Sequence, residues 1–168
     1  MDTDSILVQQ AGKAGIVKVI GRGSFKNARL VKAFSEQIDS LGIEEIVYDM
    51  KDCSHMDSTF MGVMAGLAVE QRKRNNIKMR LIHLTDRNFE LLNTLGLTHF
   101  LDVQTSATDL HGQKMIPLGM DVKPESKREI SEVMLEAHEN LLAANPENAA
   151  QFQDVVSFLR ERLGVVVA

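Results

Sequence analysis

The start of the chain contains two short segments in which apolar residues alternate with polar or small ones. Residues 5–10 (SILVQQ) and 15–20 (GIVKVI) follow the period of two that is typical of β-strands. The residues between them, 11–14, include Gly12 and favour a turn. The pattern therefore predicts that the chain opens with a β-hairpin.

After this hairpin, the chain contains three segments with the helical spacing of apolar residues, and each is followed by a short apolar run typical of a strand. The predicted helices cover 25–41, 58–74 and 86–95, and the strands that follow them cover 43–50, 79–84 and 100–103. Residues 21–24 interrupt the hairpin and can cap the first of these helices. Because a strand–helix–strand unit favours a right-handed crossover, the order predicts an α/β fold with a parallel central sheet covered by helices.

A different pattern follows a predicted connector at 112–124. Two apolar stripes repeat with the spacing i, i+3, i+4, i+7 and i+11, at residues 130, 133, 134, 137 and 141 and again at 152, 155, 156, 159 and 163. Between them, Asn145 can cap a helix that begins at Pro146. The pattern predicts a helical hairpin over about 125–163, and we divide the chain into a domain at 1–122 and a hairpin extension at 123–168.

The stripes of this hairpin carry more apolar surface than two isolated helices can bury. Burial of one large apolar side chain is worth about 1.5–3 kcal/mol, so a free tail is not expected. We expect the stripes to pack against each other and against either the helix at 58–74 or a second copy of the chain, in an arrangement that also supports a homodimer. The segment Val165 to Val167 is likewise expected not to be free in solution.

Composition narrows the classes of partner. The chain has 168 residues, is 44% hydrophobic and 25% charged, and carries a formal net charge of −4, so it has no basic field for nucleic acid. Its longest apolar run, at 60–69, is shorter than the about 20 residues of a membrane span. The acidic start, Met1 to Asp4, lacks the features of a secretory signal. We therefore expect a cytoplasmic protein that binds neither nucleic acid nor membrane.

The most informative chemistry lies where a polar turn leads into the predicted helix at 58–74. Asp57 or Ser58 can accept hydrogen bonds from the free N–H groups of the first helical turn. A phosphate on Ser58 would meet the positive end of that helix and add about two negative charges beside Asp57. From the residues alone, a simple helix cap at Asp57, Ser58 and Thr59 and a phosphorylation switch both remain open, and the cap is the commoner use.

The segment 47–62 resembles the signature of the STAS domain, the fold shared by anti-sigma factor antagonists and the cytoplasmic ends of sulphate transporters. An apolar strand leads to Asp52-x-Ser54, then to Met56-Asp57-Ser58-Thr59 and Gly62, and the resemblance covers about residues 5–105. It implies a STAS-like mixed sheet with helices, to which the C-terminal helical hairpin is added here. In the antagonist branch, an anti-sigma factor that is also a serine kinase phosphorylates the serine after the motif aspartate. That position implies Ser58, with Thr59 as a second candidate acceptor. We expect Ser58 to lie at a helix N-terminus with its hydroxyl accessible to solvent.

Two departures from the family pattern lie beside this site. Phe60-Met61-Gly62 stands where antagonists usually carry Gly-Leu-Gly, and Gly21-Arg22-Gly23-Ser24 stands where Gly-x-Leu-Asp is usual. An acidic residue is thereby replaced by a basic and polar loop, in which Arg22 could hold a phosphate or an acidic partner or could simply be a solvated cation. The expected partner surface consists of Arg22, Ser24, Asp57, Phe60, Val63 and Leu67.

The apolar face with Phe60, Val63 and Leu67 allows two interpretations, since it either meets the C-terminal hairpin or forms an exposed partner surface. We expect no cofactor and no metal site, because the histidines at 55, 83, 99, 111 and 138 and the single Cys53 lack metal-ligand spacing. His83 is expected to be a core histidine inside a strand. No nucleophile-elbow motif is present in the sequence, so we expect no catalysis.

These features predict a regulatory binding module, an anti-sigma factor antagonist. In its unphosphorylated state it would sequester an anti-sigma factor kinase, free a sigma factor and so regulate transcription. One alternative is a structural or scaffold module in which the hairpin drives assembly and Asp57-Ser58 is only a cap. The other is a ligand-sensing STAS domain without a phosphorylation switch.

Overall fold

A computed structural model describes residues 4–104, 116–117 and 126–165 of the chain. The strands in this part of the chain are β1 (Ser5–Ala11), β2 (Ala14–Gly23), β3 (Glu45–Asp49), β4 (Cys53–Met56), β5 (Met79–Ile82), β6 (Leu101–Gln104) and β7 (Ile116–Pro117). The helices are α1 (Ala28–Glu36), α2 (Ser58–Asn75), α3 (Asp86–Thr94), α4 (Lys127–Ala144) and α5 (Ala149–Leu163). Short 3-10 turns at Leu97–His99 and Pro146–Asn148 precede β6 and α5.

The strands form a mixed sheet in the order β6–β5–β3–β2–β1–β7. Strands β2, β3, β5 and β6 are parallel to one another, whereas β1 is antiparallel to both β2 and β7. This arrangement confirms the predicted α/β fold with an opening hairpin and a parallel centre. The small strand β7 lies inside the segment that the sequence analysis assigned to a connector, most of which is outside the described residues.

The polar turn before α2 contains a strand that the sequence analysis missed. Residues of β4 pair in parallel with the end of β2, from Gly21↔Cys53 to Gly23↔Met56, through an irregularity after Gly21. Gly21 has φ of 76°, a conformation that favours glycine, and this lets β2 continue past the bend. The segment Gly21–Gly23 is therefore strand rather than the predicted loop, and β4 delivers the chain directly to α2.

Helix α1 is shorter than the predicted helix at 25–41. The Asn27 side chain accepts a hydrogen bond from Ser24 N (2.9 Å) and donates one to Arg22 O (2.8 Å), which holds the preceding residues in a turn. After Glu36 the chain turns again, although Ile38 is still buried. The apolar spacing thus predicted which side chains are buried but not where the helix begins and ends.

The C-terminal helical hairpin is confirmed. Helix α4 begins at a capping box, in which Ser126 Oγ accepts from Glu129 N and Glu129 Oε2 accepts from Ser126 N, both at 3.1 Å. Asn145 Oδ1 accepts from Glu147 N at 3.1 Å, and Pro146 opens the 3-10 turn that leads into α5. Helix α4 packs on α2, and α5 packs back on α4.

The apolar stripes of the hairpin are used on two sides. Ala137, Leu141 and Phe152 belong to the main buried cluster of the sheet domain. A second cluster lies between the two helices and consists of Leu135, Val156, Leu159 and Leu163. The stripes thus pack against each other and against the domain, as expected.

The structure does not confirm three expectations about the C-terminal part. Val165 is 48% exposed, so the expectation that it is covered is not met within this chain, and 166–167 lie outside the described residues. The division at 122/123 also lies outside them and stays a prediction, as does the homodimer.

None of the described helices combines the length and apolar composition needed to cross a membrane.

Candidate functional site

Asp57 connects three elements at the start of α2. Its Oδ1 accepts a hydrogen bond from Phe60 N and its Oδ2 accepts one from Phe25 N, both at 2.9 Å. Its own N–H donates to Gly23 O at the end of β2, also at 2.9 Å. Asp57 is therefore the N-cap of α2 and a link to the turn before α1, and the predicted capping role is confirmed.

Ser58 is the first residue of α2, the helix position that the sequence analysis expected. Its hydroxyl was expected to be accessible to solvent, and the residue is only partly exposed, because the hydroxyl makes a half-buried contact. Ser58 Oγ lies 2.9 Å from Nε2 of His138, a residue of α4 that is only 3% exposed. The candidate phosphorylation site and the C-terminal hairpin are thus in direct contact.

The hydrogen bonds of His138 define the direction of this contact. Its Nδ1 lies 2.6 Å from the carbonyl oxygen of Met134, and a carbonyl can only accept, so Nδ1 carries the proton. In the neutral ring, Nε2 is then an acceptor, and the Ser58 hydroxyl donates to it. The ring also meets Phe152 of α5 edge-on, with centroids 5.3 Å apart. The Ser58 hydroxyl is therefore held by a ring that both hairpin helices position.

Beyond Ser58, the contact between α2 and α4 is made by small residues. A Cβ atom on Gly62 would lie 2.6 Å from the carbonyl carbon of Ala137, closer than real contacts allow. Asn140 of α4 donates to Gly62 O at 3.1 Å, and its side chain also lies over Gly66. The two glycines allow the backbones of α2 and α4 to approach closely.

Phe60, the first departure from the family pattern, fills space that Gly23 leaves open. The phenylalanine is 1% exposed, and a Cβ atom on Gly23 would come within 2.7–2.9 Å of three of its ring atoms. The ring therefore requires a glycine at the end of β2. Phe60 and Gly23, which both depart from the family pattern, therefore pack against each other in the core.

We predict that Gly23→Ala destabilises the fold, because the added methyl group overlaps a buried ring. Overpacking of this kind costs about 1–3 kcal/mol, which urea unfolding followed by circular dichroism will measure. In the double variant Gly23→Ala/Phe60→Ala the ring is absent, so the two changes should not add. Strictly additive losses would contradict the proposed packing of Phe60 on Gly23.

Arg22 is the exposed member of the expected partner surface, and Ser24 lies close to it in the chain. The Arg22 side chain is 65% exposed, with Nε 3.9 Å from Asp4 Oδ2, a long and weak ion pair. Ser24 is partly exposed, and its Oγ accepts from Lys26 N at 3.2 Å. Gly23 lies between them and Phe25 follows Ser24, and the backbones of Gly23 and Phe25 are hydrogen-bonded to Asp57. The structure thus brings Arg22, Ser24 and Asp57 to the same end of the sheet.

Val63 and Leu67 are buried, as is Thr59, the second candidate acceptor. Val63 and Leu67 line a cleft of about 530 Å³ whose other walls are α1 and α4, and the ion pair between Lys32 and Glu136 connects those two walls. Of the two interpretations left open by the sequence, the structure shows the apolar face covered. Val63 and Leu67 border this cleft, whereas a partner can contact Phe60 only after a rearrangement, and partner binding by these residues stays a prediction.

The remaining histidine and cysteine candidates do not form a second functional site among the described residues. His83 follows β5 instead of lying inside it, has φ of 58°, and places Nδ1 3.0 Å from Asp49 Oδ1. Burial raises the pKa of the Cys53 thiol and keeps it protonated. Among the described residues, no three potential ligands come together as a metal site.

The sequence analysis missed His138 and Asn140 as parts of the site. His138 was noted only as a histidine without metal-ligand spacing. A signal existed in its position between Met134 and Leu141 on the apolar side of α4, where a polar ring needs a partner. That partner is Ser58, 80 residues earlier in the chain, and no local pattern connects the two.

Comparisons with known proteins agree with this architecture. The STAS domain family matches residues 5–110, which is more than half of the chain. The fold is similar to that of the anti-sigma factor antagonist SpoIIAA in its unphosphorylated form, with a TM-score of 0.51, 14% identity, and coverage of 62% of this chain and 91% of that chain. The phosphorylated form of SpoIIAA, a Bacillus cell fate determinant, gives a TM-score of 0.50, 14% identity, and coverage of 62% and 93%.

A third similar structure is tm1081 from Thermotoga maritima, a candidate anti-sigma factor antagonist. Its TM-score is 0.51 at 16% identity, with coverage of 59% of this chain and 85% of that chain. A comparison with curated protein sequences finds no significant match. At these identities the solved structures show a shared fold, and the family match extends over the Asp57–Ser58 segment. The chain belongs to the STAS domain family.

Proposed function

We propose that this chain is an anti-sigma factor antagonist, a non-catalytic protein-binding module of the cytoplasm. In its unphosphorylated form it binds and sequesters an anti-sigma factor that is also a serine kinase, and so regulates transcription. Phosphorylation of Ser58 by that kinase ends the binding. The similarity to SpoIIAA, whose structure is known with and without phosphate, supports the proposal at the level of the fold.

The observation that carries the proposal is the position of Ser58 as the first residue of α2, directly after the Asp57 cap. A phosphate there adds about two negative charges beside a carboxylate that already accepts two backbone hydrogen bonds. The added negative charge changes the electrostatic potential of the surface around Arg22 and Ser24, so a partner that fits the unphosphorylated surface no longer fits it. Ser58 is a better acceptor than Thr59, because Thr59 is only 3% exposed.

One observation favours the structural alternative. The Ser58 hydroxyl already donates to His138, so it has a use in holding the hairpin on α2 that needs no kinase. In that case the chain is a scaffold module, the homodimer is its product, and Asp57 and Ser58 only organise the helix start. The two functions differ in whether Ser58 ever receives phosphate.

The test is capture of the partner followed by identification of the modified residue. The tagged chain is used to isolate binding proteins from a lysate of the source cells, and each captured protein is purified and incubated with the chain and ATP. We expect one captured protein to add a single phosphate to the wild-type chain at Ser58, as mapped by mass spectrometry. Ser58→Ala should stay unmodified, whereas Thr59→Ala should be modified normally. Capture of partners that never phosphorylate Ser58 would contradict the proposal and favour the scaffold role.

A further inference from the structure

The C-terminal hairpin lies over the candidate acceptor. We propose that α4 is an intramolecular cover of Ser58, so that a kinase or a partner protein reaches this residue only when the hairpin has left α2. The regulatory meaning of this cover rests on the proposed function, but the cover itself is a property of the fold. It goes beyond the STAS domain, because α4 and α5 lie outside the matched residues 5–110.

The cover follows one stripe of α2. Ser58, Gly62 and Gly66 are spaced by four residues and therefore share a face of the helix. His138 lies against the first of them, Ala137 against the second, and Asn140 reaches both Gly62 and Gly66. The glycines leave no side chains to keep α4 at a distance, so α4 also contacts Ser58, the first residue of the stripe, which is only partly exposed.

Phosphorylated Ser58 and docked α4 exclude each other. In the transfer from a nucleoside triphosphate, a bond forms between Ser58 Oγ and the γ-phosphorus, and the bond between that phosphorus and the bridging oxygen of the β-phosphate breaks. The nucleoside diphosphate leaves, and the hydroxyl proton passes to a base of the kinase. The γ-phosphorus must come within bonding reach of Oγ, with Oγ in line with the breaking bond, yet the ring of His138 already occupies the space 2.9 Å from Oγ. After transfer, three phosphate oxygens would have to lie at that contact, beside the Asp57 carboxylate. The phosphate therefore requires an open hairpin and holds it open.

The hairpin is built so that it can move as one body. Its internal cluster of Leu135, Val156, Leu159 and Leu163 is separate from the core of the sheet domain and survives undocking. Part of its contact with α2 is polar, namely the Ser58–His138 and Asn140–Gly62 hydrogen bonds, and water can replace both when the hairpin leaves. The apolar part of the contact, at Ala137, Leu141 and Phe152, would be exposed on undocking and therefore favours the docked state. Asn148, at the turn of the hairpin, donates a hydrogen bond to Leu95 O at 3.0 Å, so the turn end of the hairpin is also attached to the sheet domain.

The test measures access to position 58 without any kinase. Ser58→Cys places a thiol at the acceptor position, and its reaction with a disulfide reagent is followed by mass spectrometry. Cys53 is buried and serves as the internal report of global unfolding. A chain with Ser54→Cys, an exposed position of β4, gives the rate for an uncovered thiol. We expect the thiol at 58 to react at least about tenfold more slowly than the thiol at 54.

A matched pair of glycine variants then displaces the cover. In the Ser58→Cys chain, Gly62→Ala forces a methyl group against the Ala137 backbone, which can yield only if α4 moves. Gly66→Ala makes the same chemical change one turn later, where the Asn140 side chain can swing away. We expect Gly62→Ala to raise the labelling rate at 58 by about tenfold and Gly66→Ala to change it by less than about threefold. Labelling at Cys53 should stay slow in all chains.

Two results would contradict the proposal that α4 covers Ser58. One is a thiol at 58 that reacts as fast as the thiol at 54 in the parent chain, and the other is Gly62→Ala with no effect on the rate. A second measurement uses the chain with phosphoserine incorporated at position 58 during synthesis, which should show faster hydrogen exchange in α4 and unchanged exchange in β3 and β5. Unchanged exchange in α4 would also contradict the proposal. Neither measurement uses the partner, so the cover and the kinase relationship can fail separately.

Discussion

Replacement of Val156 by aspartate is expected to cause the largest loss of stability of any single change considered for this chain. Val156 is 0% exposed and lies between α4 and α5 among Leu135, Leu159 and Leu163. A carboxylate at this position would be buried without a partner, or the helices would have to separate. An uncompensated buried charge costs about 3–5 kcal/mol. The α4–α5 contact should therefore open in this variant.

The matched control is Ser157→Asp, which introduces the same side chain at the next, exposed position of α5. Such a surface change is expected to alter the free energy of unfolding by less than about 0.5 kcal/mol. Urea unfolding of both variants, with the oligomeric mass determined by sedimentation, tests the hairpin and the proposed homodimer together. If Val156→Asp leaves both stability and mass unchanged, the hairpin is an independent tail and its packing as described here is wrong.

The elements with a clear period were predictable from the sequence. The hairpin of β1 and β2, the parallel strands and the five helices follow from alternation or helical spacing, because their side chains face one core. The strand β4 was missed because four residues, Cys53 to Met56, allow only two alternations and lie in a polar context. Its existence depends on pairing with the end of β2, which Gly21 and Gly23 make possible. Such a contact between distant segments leaves little local signal.

The candidate site shows the same division between local and distant determinants. Asp57 and Ser58 were placed correctly because a cap and a helix start are properties of neighbouring residues. The contacts of their neighbours were not predictable. Phe60 was assigned to the expected partner surface, on a face left open as either covered by the hairpin or exposed, whereas its ring packs on Gly23. The Ser58 hydroxyl was expected to be accessible, whereas it is hydrogen-bonded to His138. Each of these outcomes depends on packing between separate elements, which leaves no local pattern in the sequence.

Phosphorylation of Ser58 is expected to reduce partner affinity by at least about a hundredfold. A docked partner has to accommodate the surface around Asp57, Arg22 and Ser24, and an added phosphate there brings about two negative charges that must lose water on binding. Like charges brought together at an interface cost several kcal/mol, which corresponds to two or more powers of ten in the dissociation constant. Ser58→Asp, with a single charge, should show a smaller loss in the same direction.

The measurement that tests the central claim most directly is the dissociation constant of the captured kinase for four forms of the chain. These are the wild type, Ser58→Ala, Ser58→Asp and the wild type phosphorylated at Ser58, compared by calorimetry at one salt concentration. We predict that Ser58→Ala binds at least as tightly as the wild type, that Ser58→Asp binds more weakly, and that the phosphorylated form binds at least about a hundredfold more weakly than the wild type. Equal affinity of the wild type, Ser58→Asp and the phosphorylated chain would mean that no charge-sensitive contact exists at Ser58, and the switch would be contradicted.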